Sequence, residues 1–118
     1  MSRALVIDDD IISRTICRYL LKQQGFMIDL AENSDEGIRY AEHNHYDIIL
    51  VDVGLPDRCG LSTAKILKSM PNTQHSHIVA ITAHMANLTD EPNAQYINTM
   101  QPKPMTADSL NQILEQIN

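Results

Sequence analysis

Three carboxylates, a hydroxyl and an ammonium stand directly behind apolar runs of this chain. They are Asp8 and Asp9 in "ALVIDDDIIS", Asp52 in "YDIILVDVGLPD", Thr82 in "HIVAITA", and Lys103 in "QPKPM". Carboxylates gathered in a partly desolvated crevice raise one another's pKa unless a cation neutralises them. A hard divalent ion suits such a set. Magnesium is expected, since it takes a couple of carboxylates and a carbonyl and keeps waters, whereas calcium wants more protein oxygens. A carboxylate beside bound magnesium can attack phosphorus to give an acyl phosphate, and a hydroxyl and an ammonium can hold the equatorial oxygens of the transferred group. On that chemistry Asp52 is the nucleophile, because it alone ends the central strand. Asp9 and the Gly54 carbonyl are metal ligands, Asp8 ligates directly or through water, and Thr82 and Lys103 hold the phosphoryl group. Asp10 only caps a helix.

These residues meet only if the elements before them converge. "RALVID" (3–8) reads as a short strand, and "IISRTICRYLLKQQG" as a helix carrying Ile12, Ile16 and Leu20 at helical spacing until Gly25 stops it. "FMIDLAEN" is a second strand. Asn33 and Glu36 then have the separation of a capping box for a helix that buries Ile38 and Ala41. The continuous apolar run ending at Asp52 marks a central parallel strand buried on both faces. A helix follows with Gly60, Ala64 and Leu67 on one side, then a fourth strand over 77–83. The next stretch, interrupted by Pro92, predicts a loose fourth helix before a short strand over 98–101. Thr106 caps a last helix with Leu110, Ile113, Leu114 and Ile117 on one face. Strands alternating with helices predict an α/β fold, a doubly wound parallel sheet with right-handed crossovers. Its crevice lies beyond the carboxyl ends of the strands, where all five chemical residues fall.

A length of 118 residues with 43% hydrophobic content predicts a single domain over 1–118. The net charge of -6 argues against nucleic acid as a partner, because neutralising phosphates takes a basic face. Cys17 and Cys59 have no framework or zinc spacing and are expected as reduced thiols. No apolar run approaches the roughly 20 residues of a membrane span, so a soluble, untargeted domain without membrane contact is expected, in the cytoplasm. His43, His45, His75 and His77 adjoin loops and are read as surface residues.

"LVIDDD", "IILVDVGLPDRCG", "IVAITAH" and "PKP", in that order and spacing, resemble the receiver domain of two-component response regulators over the whole chain. The resemblance implies a flavodoxin-like (βα)5 fold with strand order 2-1-3-4-5. It also implies magnesium-dependent transfer of a phosphoryl group from a phosphohistidine to Asp52, and a cis peptide between Lys103 and Pro104. "LPDRCGL" and "HIVAITAH" are similar to receivers attached to hybrid sensor kinases. That implies a kinase phosphohistidine or a histidine phosphotransfer domain as partner, docking through the first helix and the loops around the site. A monomer or weak dimer is expected, with no activity beyond its own phosphorylation and dephosphorylation and no output domain after the last helix.

The chain departs from the family pattern at three places. Met100 stands where the family's switch aromatic usually does, Tyr96 replaces the glycine that commonly ends the fourth helix, and Pro102 removes a backbone donor, which predicts that the fifth strand is an edge. Methionine has neither a rigid ring nor a hydroxyl, so a relay role fits better than a sharp surface switch. Two alternatives compete. A phosphohydrolase with an aspartate nucleophile wants a second aspartate two residues on, where this chain has Gly54. A pseudo-receiver, a protein-binding module without phosphorylation, would usually have lost an acidic residue, Asp52 or Lys103, and all are present.

Overall fold

The computed structural model describes residues 2–84 and 88–117. Its elements are β1 (Arg3–Ile7), α1 (Ile11–Gln23), β2 (Met27–Ala31), α2 (Ser34–His43), β3 (Ile48–Asp52), α3 (Gly60–Lys68), β4 (His77–Thr82), β5 (Thr99–Pro102) and α4 (Ala107–Ile117). The strands form one parallel sheet in the order β2-β1-β3-β4-β5, as expected, and β5 is indeed an edge. All five residues of β3 are buried, which explains its unbroken apolar sequence: both of its faces are covered.

Period-two alternation divides the sheet's side chains between two cores. Val6, Leu50, Val79 and Ile81 pack on one face with Cys17, Leu21, Leu110 and Ile113 of α1 and α4. Leu5, Ile7, Ile49, Val51 and Ile78 pack on the other with Ala41, Ala64 and Leu67 of α2 and α3. Gly37 lets α2 lie close to β1, since a Cβ there would strike the Ile7 side chain.

Helix ends follow the sequence signals. Asp10 caps α1, its carboxylate accepting from the Ile12 N–H at 3.0 Å. Beyond α1, Gly25 takes a left-handed φ of 85°, and the Gly25 and Phe26 N–H groups donate back to the carbonyls of Lys22 and Leu21 in a Schellman turn. Asn33 caps α2 through the Glu36 N–H at 2.8 Å, but Glu36 returns its bond to the N–H of Glu32, so the capping box closes one residue early. Thr106 accepts from the Ser109 N–H ahead of α4.

Two expectations are corrected. The α1 residues that face the sheet are Ser13, Cys17 and Leu21, whereas Ile12 is 68% exposed and Ile16 and Leu20 only flank the buried stripe. The buried stripe runs one residue on from the expected one, about 100° round the helix, so Ile12 points away from the sheet while its neighbour Ser13 points toward it. Among the described residues, β4 and β5 are joined by two 3-10 turns, Leu88–Asp90 and Ala94–Tyr96, not by an α-helix. Pro92 offers no N–H, and Asn93 sits at φ 73°, so the helical ladder cannot run through them. The start of the expected fourth helix, 85–87, lies outside the described residues.

Candidate functional site

The register of the sheet lines up the chemical residues. Ile7 pairs with Val51, so Asp8 follows β1 beside Asp52; Ile81 pairs with Asp52, and Thr82 with Pro102, so Thr82 and Lys103 continue the row across the same edge. One carboxylate oxygen from each of Asp8, Asp9 and Asp52 falls within 4.8 Å of the others. Lys103 extends Nζ into this group, 3.3 Å from Asp8 Oδ2 and 3.4 Å from Asp52 Oδ2. The Lys103–Pro104 peptide is cis, as the resemblance implied. Gly60 permits the close packing underneath, because a Cβ on it would collide with the Asp52 carbonyl oxygen.

The three carboxylates are not equivalent. Asp8 is wholly buried, Asp52 is 6% exposed, and Asp9 is exposed. Asp8 Oδ1 accepts from the Asp10 N–H at 2.9 Å, and Asp52 Oδ1 accepts from the Gly54 N–H at 3.2 Å. Burial, and then the neighbouring charge of Asp8, push the Asp52 carboxyl above the usual carboxylate range, and the Gly54 N–H and Lys103 only partly oppose them. For Lys103 burial works downward, but Asp8 and Asp52 outweigh it and hold the ammonium more firmly protonated than usual. Three carboxylates against one ammonium leave two negative charges uncompensated in a half-buried crevice.

A divalent cation fits this set on two observations. The donors are all oxygen, as magnesium requires. Asp8 Oδ2 is buried and accepts no hydrogen bond, its one partner being the Lys103 charge.

Thr82 is buried at the row's edge, with its hydroxyl turned into its own turn: it donates to the His84 carbonyl at 3.1 Å and accepts from the His84 N–H at 3.0 Å. Gly54 is exposed, and a Cβ on it would meet nothing within 4 Å, so its smallness is not needed for packing. Cys17 lies under the site, its thiol pushed up to about 12 by burial and then by the charge of Asp8, which makes it inert.

Two sets of contacts near the site could not be read from the sequence. Asp57, after β3, accepts from the first N–H groups of α2, Ser34 at 2.9 Å and Asp35 at 3.0 Å, while Arg58 donates to Ser34 Oγ and to the Asp35 carboxylate. These bonds tie the loop beside Asp52 to a separate helix and hold the Asp57 carboxyl below its usual range. Arg14 donates from Nη1 to the Asp8 carbonyl at 2.8 Å. Its only sequence signal is a cation near the start of a helix, where the dipole disfavours it.

A family model described as the response regulator receiver domain matches residues 4–115. Two-component response regulator 24 of Arabidopsis thaliana is 32% identical over 98% of this chain and 83% of its own length. Hybrid signal transduction histidine kinase B of Dictyostelium discoideum is 28% identical over 98% of the chain, which spans only 7% of that kinase. Among solved structures, the receiver domain of a sensor histidine kinase from Pseudomonas aeruginosa, with a magnesium ion coordinated in its active site cleft, superposes with a TM-score of 0.87 at 27% identity, covering 98% of this chain and 95% of that one.

Proposed function

The chain belongs to the response regulator receiver domain family of two-component signalling, and from that premise we propose that it accepts a phosphoryl group from a phosphohistidine onto Asp52, with magnesium, and passes it on or displays it. The observation that carries this reading is the meeting of Asp8, Asp9, Asp52 and Lys103 at one sheet edge. Structural needs alone do not bring three carboxylates and an ammonium together, and each is costly to bury.

The carboxylate of Asp52 attacks phosphorus as the bond to the imidazole nitrogen breaks, and the bonding pair leaves with the ring. Asp8 and Asp9 would hold magnesium together with Asp52 and the Gly54 carbonyl. When bound, the ion supplies positive charge beside the phosphoryl oxygens. Lys103, already extended between Asp8 and Asp52, neutralises one further oxygen. The Thr82 hydroxyl reaches another once it rotates away from His84, whose backbone is its partner among the described residues. Hydrolysis of the acyl phosphate restores Asp52. No other catalysis is assigned to the domain.

The donor is read as a histidine kinase or a histidine phosphotransfer domain. In support, α1 presents Ile11, Ile12 and Tyr19, each more than 60% exposed, with Arg18 and Lys22 exposed on the same helix. An apolar face edged with cations on a chain of net charge -6 suits an acidic helical partner better than nucleic acid. Relay is favoured over a sharp output switch by half-buried Met100 in place of an aromatic on β5. No helix among the described residues is long and apolar enough to cross a membrane; a cytoplasmic domain, monomeric or weakly dimeric, is the reading that goes with such a donor.

A small phosphodonor such as acetyl phosphate, with magnesium, is expected to add the mass of one phosphoryl group to the intact protein, and Asp52→Asn to abolish it. A parent protein that gains no mass would return the chain to the pseudo-receiver reading.

A further inference from the structure

Building on the proposed magnesium-dependent phosphoacceptor, we propose that Arg14 is a positioning residue for the metal site, holding the peptide between Asp8 and Asp9 in the orientation that aims both carboxylates at the ion. The Asp8 main chain is held at both ends. Its N–H donates to the Ala31 carbonyl at 3.0 Å, which fixes where β1 ends. Its carbonyl accepts from Arg14 Nη1 at 2.8 Å, from a side chain only 13% exposed. That carbonyl belongs to the same rigid plane as the Asp9 N–H, so turning it would turn the stems of both acids. The Asp8 carboxylate is further held by the Asp10 N–H. Asp9 is exposed and has no such tie among the described residues, so there it depends on the peptide plane.

Glu32 does not account for Arg14. The Nη2 contact with Glu32 Oε1 is long, 3.5 Å, and Glu32 is 69% exposed, so the pair is worth little. Electrostatics does not settle the role either: the guanidinium is drawn to the uncompensated carboxylates beside it, but it opposes the helix dipole and would repel a bound dication. The two influences of Arg14 on magnesium therefore have opposite signs. If its charge dominates, removing it tightens the metal; if its bond to Asp8 dominates, removing it loosens the metal.

The experiment is calorimetric titration of the whole chain with magnesium alone, at fixed pH and ionic strength, for the parent, Arg14→Met and Arg14→Lys, beside a metal-free melting curve of each. Loss of an outer partner of a metal ligand typically costs about 10-fold or more in affinity. Arg14→Met is expected to show that loss with a nearly unchanged metal-free melting temperature, and Arg14→Lys, which keeps a donor and the charge, to recover most of the affinity. A Met variant that binds magnesium as tightly as the parent or tighter overturns the assignment, and so does a Lys variant as weak as the Met one. Should the Met variant fail to fold, Arg14→Gln is neutral and too short to reach, and decides by the same criterion. A parent that binds no magnesium overturns the phosphoacceptor reading itself, which keeps the two failures distinct.

Discussion

Asp52 is the proposed phosphoacceptor and also a group the fold holds at a cost. Its carboxyl is shifted upward by burial and by Asp8, so the native state favours its protonated form more than the unfolded chain does. A raised native pKa contributes stability that is present in full below the ordinary carboxylate range and is lost as pH rises through the native value. Ionisation of Asp52 therefore costs the metal-free protein stability as the pH rises. Asp52→Asn, which keeps the shape and removes the charge, is expected to melt at a higher temperature than the parent without magnesium, with the gap closing as the pH is lowered toward 4. A variant less stable than the parent at pH 7 would show that Lys103 more than compensates the pair. At this scale the sequence was legible: "DDD" behind an apolar strand already separates two acids at a sheet edge from a helix cap, and Asp10 is that cap. Arg14 was not legible, because what makes it unusual is a bond to a backbone carbonyl, and backbone geometry leaves no mark on residue type.

Elements place the residues, and the junction of β3 with α3 is the tightest of these placements. Gly60 opens α3 directly against the Asp52 carbonyl, and the Gly60 N–H donates to the Val53 carbonyl at 2.9 Å. Gly60→Ala has no room, so either α3 or the end of β3 must shift. Overpacking of this kind costs about 1–3 kcal/mol. The expected result is a lower melting temperature together with slower gain of phosphoryl mass, whereas Gly54→Ala, with open space around it, leaves stability close to the parent's. Strands were readable at this level because burial on both faces demands unbroken apolar runs. Two helical features were not. The rotation of α1 is set by its packing on the sheet, and two stripes one residue apart, 12-16-20 and 13-17-21, both have helical spacing, so spacing alone did not show that Ile12 is exposed. The β4–β5 connection depends on Pro92 and on a left-handed Asn93, which together leave only 3-10 turns among its described residues.

Across the whole molecule, the sheet gathers charge that Lys103 offsets only in part, so the proposed magnesium site would link metal to stability. Magnesium binding to the native state alone stabilises by about 2.7 kcal/mol at roughly 100 times its dissociation constant. The melting temperature is expected to climb with magnesium concentration in the parent and in Asp10→Asn, whose cap survives the exchange, and to stay nearly flat in Asp9→Asn. Equal responses from the two variants would mean that the acids have been wrongly divided. Strand order and the convergence of the site followed from the alternation of elements and the resemblance; the tie from Asp57 to α2 did not, because it links residues 22 and 23 positions apart through backbone N–H groups. A longer separation has another consequence. Lys103 meets Asp8 across 95 residues, and β1 is flanked by β2 and β3, so the earliest strand to leave a ribosome waits for later ones on either side. A half-synthesised or partly unravelled chain holds the aspartates without the lysine that faces them. On the proposed function, a complete phosphoryl-accepting site thus serves as a certificate of completed folding, issued only once the last strand has docked.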